Sequence, residues 1–281
     1  MASAAEHKTR QLAQWGAAAG AWDRRFDWYS AAFRPLIDWI VEAAGIAPGM
    51  RVLDVGCGCG QPCLTAAERV GPTGEVVAVD LSRDMLLHAA RRAQRLNFDQ
   101  VAFHEMDAED LHFEDGTFDA VTSACVLMFC PDANRAAAQM ARMLKPGGRL
   151  SLSVWGDPAE NPFVTLGGQP VAQFFPATPP DANAPNAFRF ARAGLLEDVL
   201  RGTGLREVTV ESRPMPIEFA TPAEYWEVFL DLAAGARDKV ASMSDADRAA
   251  LDALVHEGAA RYMREGRLVL TATLLCASAR K

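Results

Sequence analysis

The residues best suited to chemistry in this 281-residue chain are glycines and acids that directly follow short apolar runs. The segment VLDVGCGCG, residues 52–60, places Gly56, Gly58 and Gly60 after an apolar stretch that contains Asp54. Glycine allows a ligand to approach the backbone closely and tolerates positive φ angles. In an open sheet of parallel strands, ligands bind beyond the carboxyl ends of the strands, where such a loop falls. The loop therefore predicts a site for a nucleotide-like ligand.

The spacing of the glycines narrows the kind of ligand. A dinucleotide fingerprint, G-x-G-x-x-G, needs its third glycine at the position of Gln61, and a Walker loop needs a Gly-Lys-Ser/Thr sequence that does not follow here. Asp80 ends a second apolar run, Val76–Val79. A carboxylate there suits the two hydroxyl groups of a ribose, although a helix cap or a surface acid is the alternative reading. We interpret the loop as one for a nucleoside joined to an amino acid.

Strands and helices alternate around these residues, which predicts an α/β fold with right-handed crossovers and a doubly wound, mostly parallel, seven-stranded Rossmann-like sheet. The expected strands are Arg51–Val55, Val76–Asp80, Val101–Met106, Phe118–Ser123, Arg149–Trp155, Val208–Glu211 and Leu268–Ser278. The expected helices of this core are Cys63–Val70, Arg83–Leu96, Ala133–Leu144 and Gly194–Arg201.

The flanking segments differ from this alternation. Residues 10–45 carry an aromatic-rich apolar stripe at helical spacing. Seven prolines in residues 156–188 predict a loop that crosses the surface. Residues 222–265 are mostly helical in pattern and precede the last strand, so we expect them to form a substrate cap.

Four ordered motifs carry a family resemblance. They are VLDVGCGCGQPCL at 52–64, VVAVDLS at 76–82, MDAEDL at 106–111 and KPGGRL at 145–150. Together they resemble class I S-adenosylmethionine (SAM)-dependent methyltransferases, in the branch of the ubiquinone/menaquinone-biosynthesis C-methyltransferases and many small-molecule methyltransferases. The resemblance covers about residues 48–155.

The resemblance implies SAM as the cofactor and assigns roles by position. Asp54, Gly56 and Gly58 would lie under its methionine part, Asp80 would bind its ribose, and Asp107 would accept from the adenine amino group. The further cofactor residues that it implies are Gly60, Gln61, Leu81, Met85, Ala108, Ser123 and Ala124.

The expected division of the chain follows from the resemblance and the flanks. It comprises an N-terminal helical lid (1–48), a SAM-binding core (49–155), a proline-rich connection with remaining core elements (156–221), a helical cap (222–265) and a closing strand (266–281).

The acceptor is expected to be a small organic molecule with an apolar part. Aromatic faces can stabilise a sulfonium or enclose an apolar acceptor, and the formal net charge of −8 argues against nucleic acid. The candidate pocket residues are Trp28, Tyr29, Met128 and Trp226. The acceptor's O, N or C atom would displace the sulfur in line, so that catalysis is mostly positioning and exclusion of water. No catalytic side chain is assigned.

Two other functions stay open at this point. One is a SAM-using hydrolase, cyclase or decarboxylase, and the other is a non-catalytic SAM-binding partner subunit. Cys57, Cys59 and Cys63 lack the paired spacing of a structural zinc site, so no metal is expected. The sequence shows no signal peptide and no membrane span, so we expect a cytoplasmic protein, with a homodimer as a candidate assembly.

Overall fold

A mixed β-sheet runs through the part of the chain that the computed structural model describes, residues 3–175 and 185–281. Its strands are β1 (Arg51–Val55), β2 (Glu75–Asp80), β3 (Val101–Glu105), β4 (Phe118–Ala124), β5 (Leu144–Trp155), β6 (Arg206–Phe219), β7 (Met263–Arg264) and β8 (Arg267–Arg280).

The strand order places the carboxyl ends of β1 and β4 side by side. The order is β3-β2-β1-β4-β5-β8-β6, and the short β7 pairs with β8. Strands β1 to β5 are parallel, whereas β8 is antiparallel to both β5 and β6. The chain runs outward from β1 to β3 and then returns to place β4 on the other side of β1. The predicted doubly wound, mostly parallel sheet is confirmed, and this switch point is where such sheets bind ligands.

Ten α-helices surround the sheet within the described residues. They are α1 (Ala4–Ala32), α2 (Arg34–Ala43), α3 (Cys63–Val70), α4 (Arg83–Arg95), α5 (Ala133–Met143), α6 (Pro162–Phe174), α7 (Leu195–Arg201), α8 (Pro222–Leu232), α9 (Ala236–Ala241) and α10 (Asp245–Ala259). The helical pattern at 10–45 is split in two, because Pro35 lies in the first turn of α2, where its missing N–H costs nothing. Helix α1 also begins earlier than expected, at a capping box formed by Ser3 and Glu6.

The prediction of a surface loop across residues 156–188 is wrong for α6. Pro162 begins this helix, and Phe163 and Leu166 are buried on its inner face. Helix α6 packs on α10, α8 and β8, so apolar burial outweighs the helix-breaking tendency of Pro170. Residues 176–184 of the same segment lie outside the described residues.

Strand β6 is much longer than the expected Val208–Glu211, because it continues through Pro214 and Pro216. It pairs with β8 along its length and has no second neighbouring strand among the described residues. Proline is tolerated on such an edge strand because one row of N–H groups has no ladder partner.

The first helix lies over the carboxyl ends of the strands. Helix α1 packs on α4 of the core and on α8 in the segment between β6 and β8. It therefore bridges the two sides of the ligand crevice. No helix in the described ranges is long and apolar enough to cross a membrane.

Candidate functional site

A cavity of about 440 Å³ lies between α1, the carboxyl ends of the strands, α6 and α8. This volume is within the range of small-molecule sites. Of the predicted cofactor residues, those that line the cavity are Gly56, Gly58, Gly60, Gln61, Asp80, Leu81, Met85, Asp107, Ala108 and Ala124. The cavity thus combines residues at the carboxyl ends of β1 and β4. Gly56 and Ala124, for example, are 68 positions apart in the chain.

The glycine loop is shaped by two different requirements. Gly56 has φ +75°, and a Cβ atom there would lie 2.2 Å from Cγ2 of Val126. Gly58 has φ +51°, and a Cβ atom built on it would meet nothing within 4 Å. Gly56 is therefore required by packing, whereas Gly58 leaves open space on the cavity side for a ligand.

Asp80, at the end of β2, holds the loop and faces the cavity. One carboxylate oxygen accepts from the Gly58 N–H at 2.9 Å and the other accepts from the Ser82 N–H at 2.8 Å. Ser82, rather than Asp80, caps α4 through its hydroxyl group. Burial raises the pKa of Asp80, and the two N–H donors oppose that shift. These two backbone N–H groups therefore fix the orientation of the Asp80 carboxylate at the end of β2.

Asp54 lies beneath the glycine loop and does not line the cavity. It is fully buried in β1 and accepts a hydrogen bond from the Thr122 hydroxyl at 2.7 Å. Burial raises its pKa to about 7, which the Thr122 bond opposes. Asp54 therefore connects β1 with Thr122 of β4 and with the backbone of Cys63, which follows the glycine loop, so that it supports the loop from the core.

Ser123 does not line the cavity either, although the family resemblance assigned it to the cofactor site. Its hydroxyl donates to the Val55 carbonyl at 2.9 Å, which links the ends of β4 and β1. Cys125, two residues later, does line the cavity and has φ +58°, a strained angle for a non-glycine residue. Burial raises the pKa of its thiol to about 12, so the thiol remains protonated.

The far end of the cavity carries an ion pair that the sequence did not single out. The Lys8 ammonium, from α1, lies 2.6 Å from carboxylate oxygens of both Asp107 and Glu109. Lys8 also lines the cavity. A lysine on a helix surface has no distinctive sequence signal, and only the path of α1 brings it to the β3 loop.

An aromatic wall, defined here as Tyr29, Phe33, Trp155 and Phe163, lines the other end of the cavity. Tyr29 stacks on Phe33 with centroids 4.8 Å apart, and Phe33 contacts Trp155 at 6.3 Å and Phe163 at 5.6 Å. The predicted residue Met128 also belongs to the lining. Phe163 was missed, since it falls in the segment that was expected to be a loop.

Two predicted pocket residues, Trp28 and Trp226, are placed outside the lining. Trp28 stacks on Phe219 of β6 with centroids 5.5 Å apart. Trp226 stacks on Phe229 at 5.5 Å and donates its indole N–H to Asp252 at 2.8 Å. Both rings are instead packed in the apolar cluster between α1, β6 and the inserted helices.

The stripe of α1 contributes more to the cavity than the sequence indicated. Trp15 and Trp22 line it together with Tyr29, at steps of seven residues along one helix face. Trp15 packs edge-on against Phe129 at 5.7 Å, and Gln11 donates to the Phe129 carbonyl at 2.8 Å. The periodicity predicted this stripe, but an aromatic stripe is usually core, and only the fold shows that it faces a cavity.

A buried arginine ties α1 to the glycine loop. The Arg92 guanidinium, from α4, donates to the Cys59 carbonyl at 2.9 Å and to the Asp23 carboxylate at 2.6 Å. It also lies over the Phe26 ring, 3.6 Å from the centroid. The Arg92 side chain therefore anchors both the glycine loop and α1. Within the described ranges, no group of three or more His, Cys, Asp or Glu side chains is arranged to hold a metal ion.

Comparison with known proteins shows similarity to methyltransferases. A family described as "Methyltransferase domain" matches residues 46–164. The nocamycin O-methyltransferase of Saccharothrix syringae is 34% identical over 185 residues, which is 63% of this chain and 66% of that protein. A ubiquinone/menaquinone biosynthesis C-methyltransferase of Idiomarina loihiensis is 36% identical over 43% of this chain and 48% of its own length. These matches thus span about half to two thirds of the curated relatives.

A solved structure has a similar fold. Phosphoethanolamine N-methyltransferase 2 of Haemonchus contortus, in complex with phosphomonomethylethanolamine and S-adenosylhomocysteine, superposes with a TM-score of 0.59. It is 20% identical and covers 100% of this chain and 60% of its own. At that identity, the likeness concerns the fold.

Proposed function

This chain belongs to the class I SAM-dependent methyltransferases, and from that premise we propose that it transfers a methyl group from SAM to an O, N or C atom of a small, partly apolar organic molecule. The observation that carries the proposal is one cavity that joins the glycine loop and the acids of β2 and β3 to the aromatic wall. A cofactor end and an apolar acceptor end would thus share a single cavity.

The residues at the first end fit SAM in size and chemistry. The open space beside Gly58 admits a ligand against the loop backbone. The Asp80 carboxylate can accept from ribose hydroxyls, and Asp107 can accept from an adenine amino group. Leu81 and Met85 supply apolar contacts beside them. We assign Asp54 and Ser123 to the support of this surface, since neither lines the cavity.

When bound, SAM supplies a methyl group on a positively charged sulfur, which is a good leaving group. On this proposal the acceptor atom would bond to the methyl carbon as the carbon–sulfur bond breaks, and the sulfur would keep that electron pair. A proton carried by the acceptor would be lost to bulk water before or after the transfer, outside the closed site. The chain's own residues bind, orient and exclude water in this reaction. Helices α1 and α6 cover the cavity with aromatic rings, which suits catalysis by positioning.

The name of the Saccharothrix syringae relative supports oxygen as the methylated atom. That protein is an O-methyltransferase, and its match covers more of this chain than the match to the C-methyltransferase does. We therefore place oxygen first among the three acceptor atoms.

The experiment that tests this function is methyl transfer in vitro with mass spectrometry of the products. The protein is incubated with SAM and separate panels of phenols, enols, carboxylic acids and amines. Gain of one methyl group together with S-adenosylhomocysteine is expected on an apolar hydroxylated compound. Activity on protein or RNA alone, or a SAM-dependent product that gains no methyl group, would contradict the proposal.

We also propose a cytoplasmic location, an acceptor other than nucleic acid, and a homodimeric assembly. The acidic net charge of −8 supports the second point, because phosphate binding needs clustered cations. Light scattering coupled to gel filtration tests the assembly, and a mass of one chain in solution would exclude the dimer.

A further inference from the structure

We propose that the Tyr29 hydroxyl positions the acceptor by donating a hydrogen bond to its oxygen, and that the acceptor is a planar hydroxylated aromatic or enolic compound. This inference rests on the proposed function and names the substrate class of the same site. The fixed ring of Tyr29, its hydroxyl and the shape of the aromatic wall support this role.

The Tyr29 ring is held in place from two sides. It stacks on Phe33 at 4.8 Å with an interplanar angle of 24°, and it contacts Trp22 edge-on at 5.3 Å and 65°. The side chain is only partly buried and lines the cavity. A ring fixed in this way presents its hydroxyl in one direction without further loss of side-chain entropy.

The hydroxyl of Tyr29 has no hydrogen-bond partner among the residues at 3–175 and 185–281. Tyr225 shows the contrast, because its hydroxyl donates to the Phe163 carbonyl at 3.0 Å. Enclosed polar groups in proteins are nearly always paired with protein, water or ligand. A cavity-lining hydroxyl without a protein partner is therefore available to a ligand atom.

Tyr29 acts as a donor because it keeps its proton. Burial raises the pKa of its hydroxyl, and the nearby Cys125 and Asp54 add to that shift. Its natural partner is an atom with a lone pair, such as a phenolate, enolate or carbonyl oxygen. A protonated amine has no lone pair to accept from the Tyr29 O–H; it could only donate to the hydroxyl oxygen, which is the opposite of the proposed role.

Tyr29 lies between the α1 stripe and the aromatic wall. Its ring contacts Trp22 on one side and Phe33 on the other, and all three residues line the cavity. Beyond Phe33, the rings of Trp155 and Phe163 lie 6.0 Å apart at 31° and offer flat faces. A flat conjugated body fits against such rings while its oxygen meets Tyr29.

The test uses 4-nitrophenol as the probe, because its neutral and ionised forms absorb differently. The full-length protein is loaded with S-adenosylhomocysteine and titrated with the probe across neutral pH. We expect the bound probe to ionise at a lower pH than the free probe. Tyr29→Phe keeps the ring contacts and removes the donor, so it should return the ionisation toward that of the free probe and weaken phenolate binding about tenfold.

Tyr225→Phe is the matched control, because it removes the same atom from a hydroxyl that is already satisfied. It should lower the melting temperature and leave the ionisation of the bound probe unchanged. Tyr29→Phe should show the reverse pattern, with little change in melting temperature. Affinity for S-adenosylhomocysteine should stay within about twofold in Tyr29→Phe, since on this inference the lost bond belongs to the acceptor.

Three results would overturn the inference: no saturable binding of the probe, equal probe ionisation in wild type and Tyr29→Phe, or a large loss of S-adenosylhomocysteine affinity in Tyr29→Phe. The last result would assign the hydroxyl to the cofactor. Failure of the wild-type protein to bind S-adenosylhomocysteine contradicts the proposed function itself. Normal cofactor binding with no effect of Tyr29→Phe on the probe contradicts the role of Tyr29 alone.

Discussion

Single carboxylates in this protein have distinct tasks that depend on their burial. Asp54 and Asp80 belong to the neighbouring parallel strands β1 and β2, yet Asp54 is buried away from the cavity and Asp80 lines it. Asp54 precedes the last residue of β1 and is paired with Ala78, whereas Asp80 lies two residues beyond Ala78, at the carboxyl edge of the sheet where the cavity opens. Substitution of Asp80 should therefore affect ligand binding, whereas substitution of Asp54 should affect the pH dependence of stability.

Asp80→Asn should weaken the binding of S-adenosylhomocysteine by at least about tenfold. The amide can still accept from one N–H, but its NH₂ group faces the other of the two donors, Gly58 and Ser82. Loss of one such charge-assisted bond costs about 1–3 kcal/mol. Isothermal calorimetry measures the change, with Asp84→Asn, an exposed acid in the first turn of α4, as the control. Equal affinity in wild type and Asp80→Asn would remove Asp80 from the proposed cofactor site.

The stability of the fold should decline between pH 5 and pH 7 because of Asp54. Burial raises the pKa of Asp54 to about 7 in the folded state, against about 3.9 in an unfolded chain. The folded state therefore holds the proton more tightly. The stability that this provides is complete below the unfolded pKa and is lost as the pH rises through the folded pKa, by up to about 1.4 kcal/mol per pH unit.

Urea unfolding of wild type and Asp54→Asn across this range measures that dependence. The difference between the two proteins isolates Asp54 from Asp80, whose pKa burial also raises. Asp119→Asn is a suitable control: although burial opposes the shift, the Lys145 ammonium and the Arg51 N–H hold the pKa of Asp119 below its usual value. The stability due to Asp119 is lost only at more acidic pH. A parallel pH dependence in wild type and Asp54→Asn would contradict the expectation.

At the scale of elements, the contacts of α1 decide how the site is closed. This helix meets α4 through Arg92, the β3 loop through Lys8 and α8 through Arg25, which lies 2.7 Å from the buried Asp231. Lys8 precedes the apolar stripe of this helix, whereas the contacts of Arg92 and Asp231 are made to Asp23 and Arg25 within its span. The stripe supplies the burial, and the charges set the position of the helix over the cavity.

Arg92→Ala should destabilise the protein by about 2 kcal/mol and weaken the binding of S-adenosylhomocysteine several-fold. The substitution removes a nearly buried guanidinium from Asp23, from the Cys59 carbonyl and from the face of Phe26. This loss of unfolding free energy is smaller than that expected for a fully buried ion pair, because Asp23 stays partly accessible to water. Denaturant unfolding and calorimetry give both quantities. Arg91→Ala, an exposed neighbour on α4, should change neither, and equal effects of the two variants would argue against the anchoring role.

At the scale of the whole molecule, the cavity is bounded by segments far apart in the chain. Its lining runs from Lys8 in α1 to Ala234 after α8. Ligand binding should therefore couple the lid, the sheet and the inserted helices.

S-adenosylhomocysteine at 100 times its dissociation constant should raise the free energy of unfolding by about 2.7 kcal/mol. Hydrogen exchange should slow in α1 and in the glycine loop, whereas the buried strand β8 should change little. Thermal unfolding and exchange by mass spectrometry check the two parts. Protection of the glycine loop with no change in α1 would show that the lid does not respond to the cofactor.

The sequence by itself identified residues at the end of the cavity that we propose for the cofactor. Short apolar runs that end in glycines or acids predict buried parallel strands and their loops, and both signals depend on local chemistry. Gly56, Gly58 and Asp80 were identified in this way, and the structure places all three on the cavity. The doubly wound sheet also followed from the alternation of strands and helices.

Only the tertiary structure showed which residues form the aromatic wall, the end of the cavity that we propose for the acceptor. Phe33 joins α1 to α2, Trp155 ends β5 and Phe163 belongs to α6, and the three rings meet through direct contacts between these distant segments. Trp28 and Trp226, which the sequence favoured, are packed on Phe219 and Phe229 instead. An aromatic residue has the same local pattern whether it faces a core or a cavity. Which of the two it faces depends on long-range packing, which the local sequence does not contain.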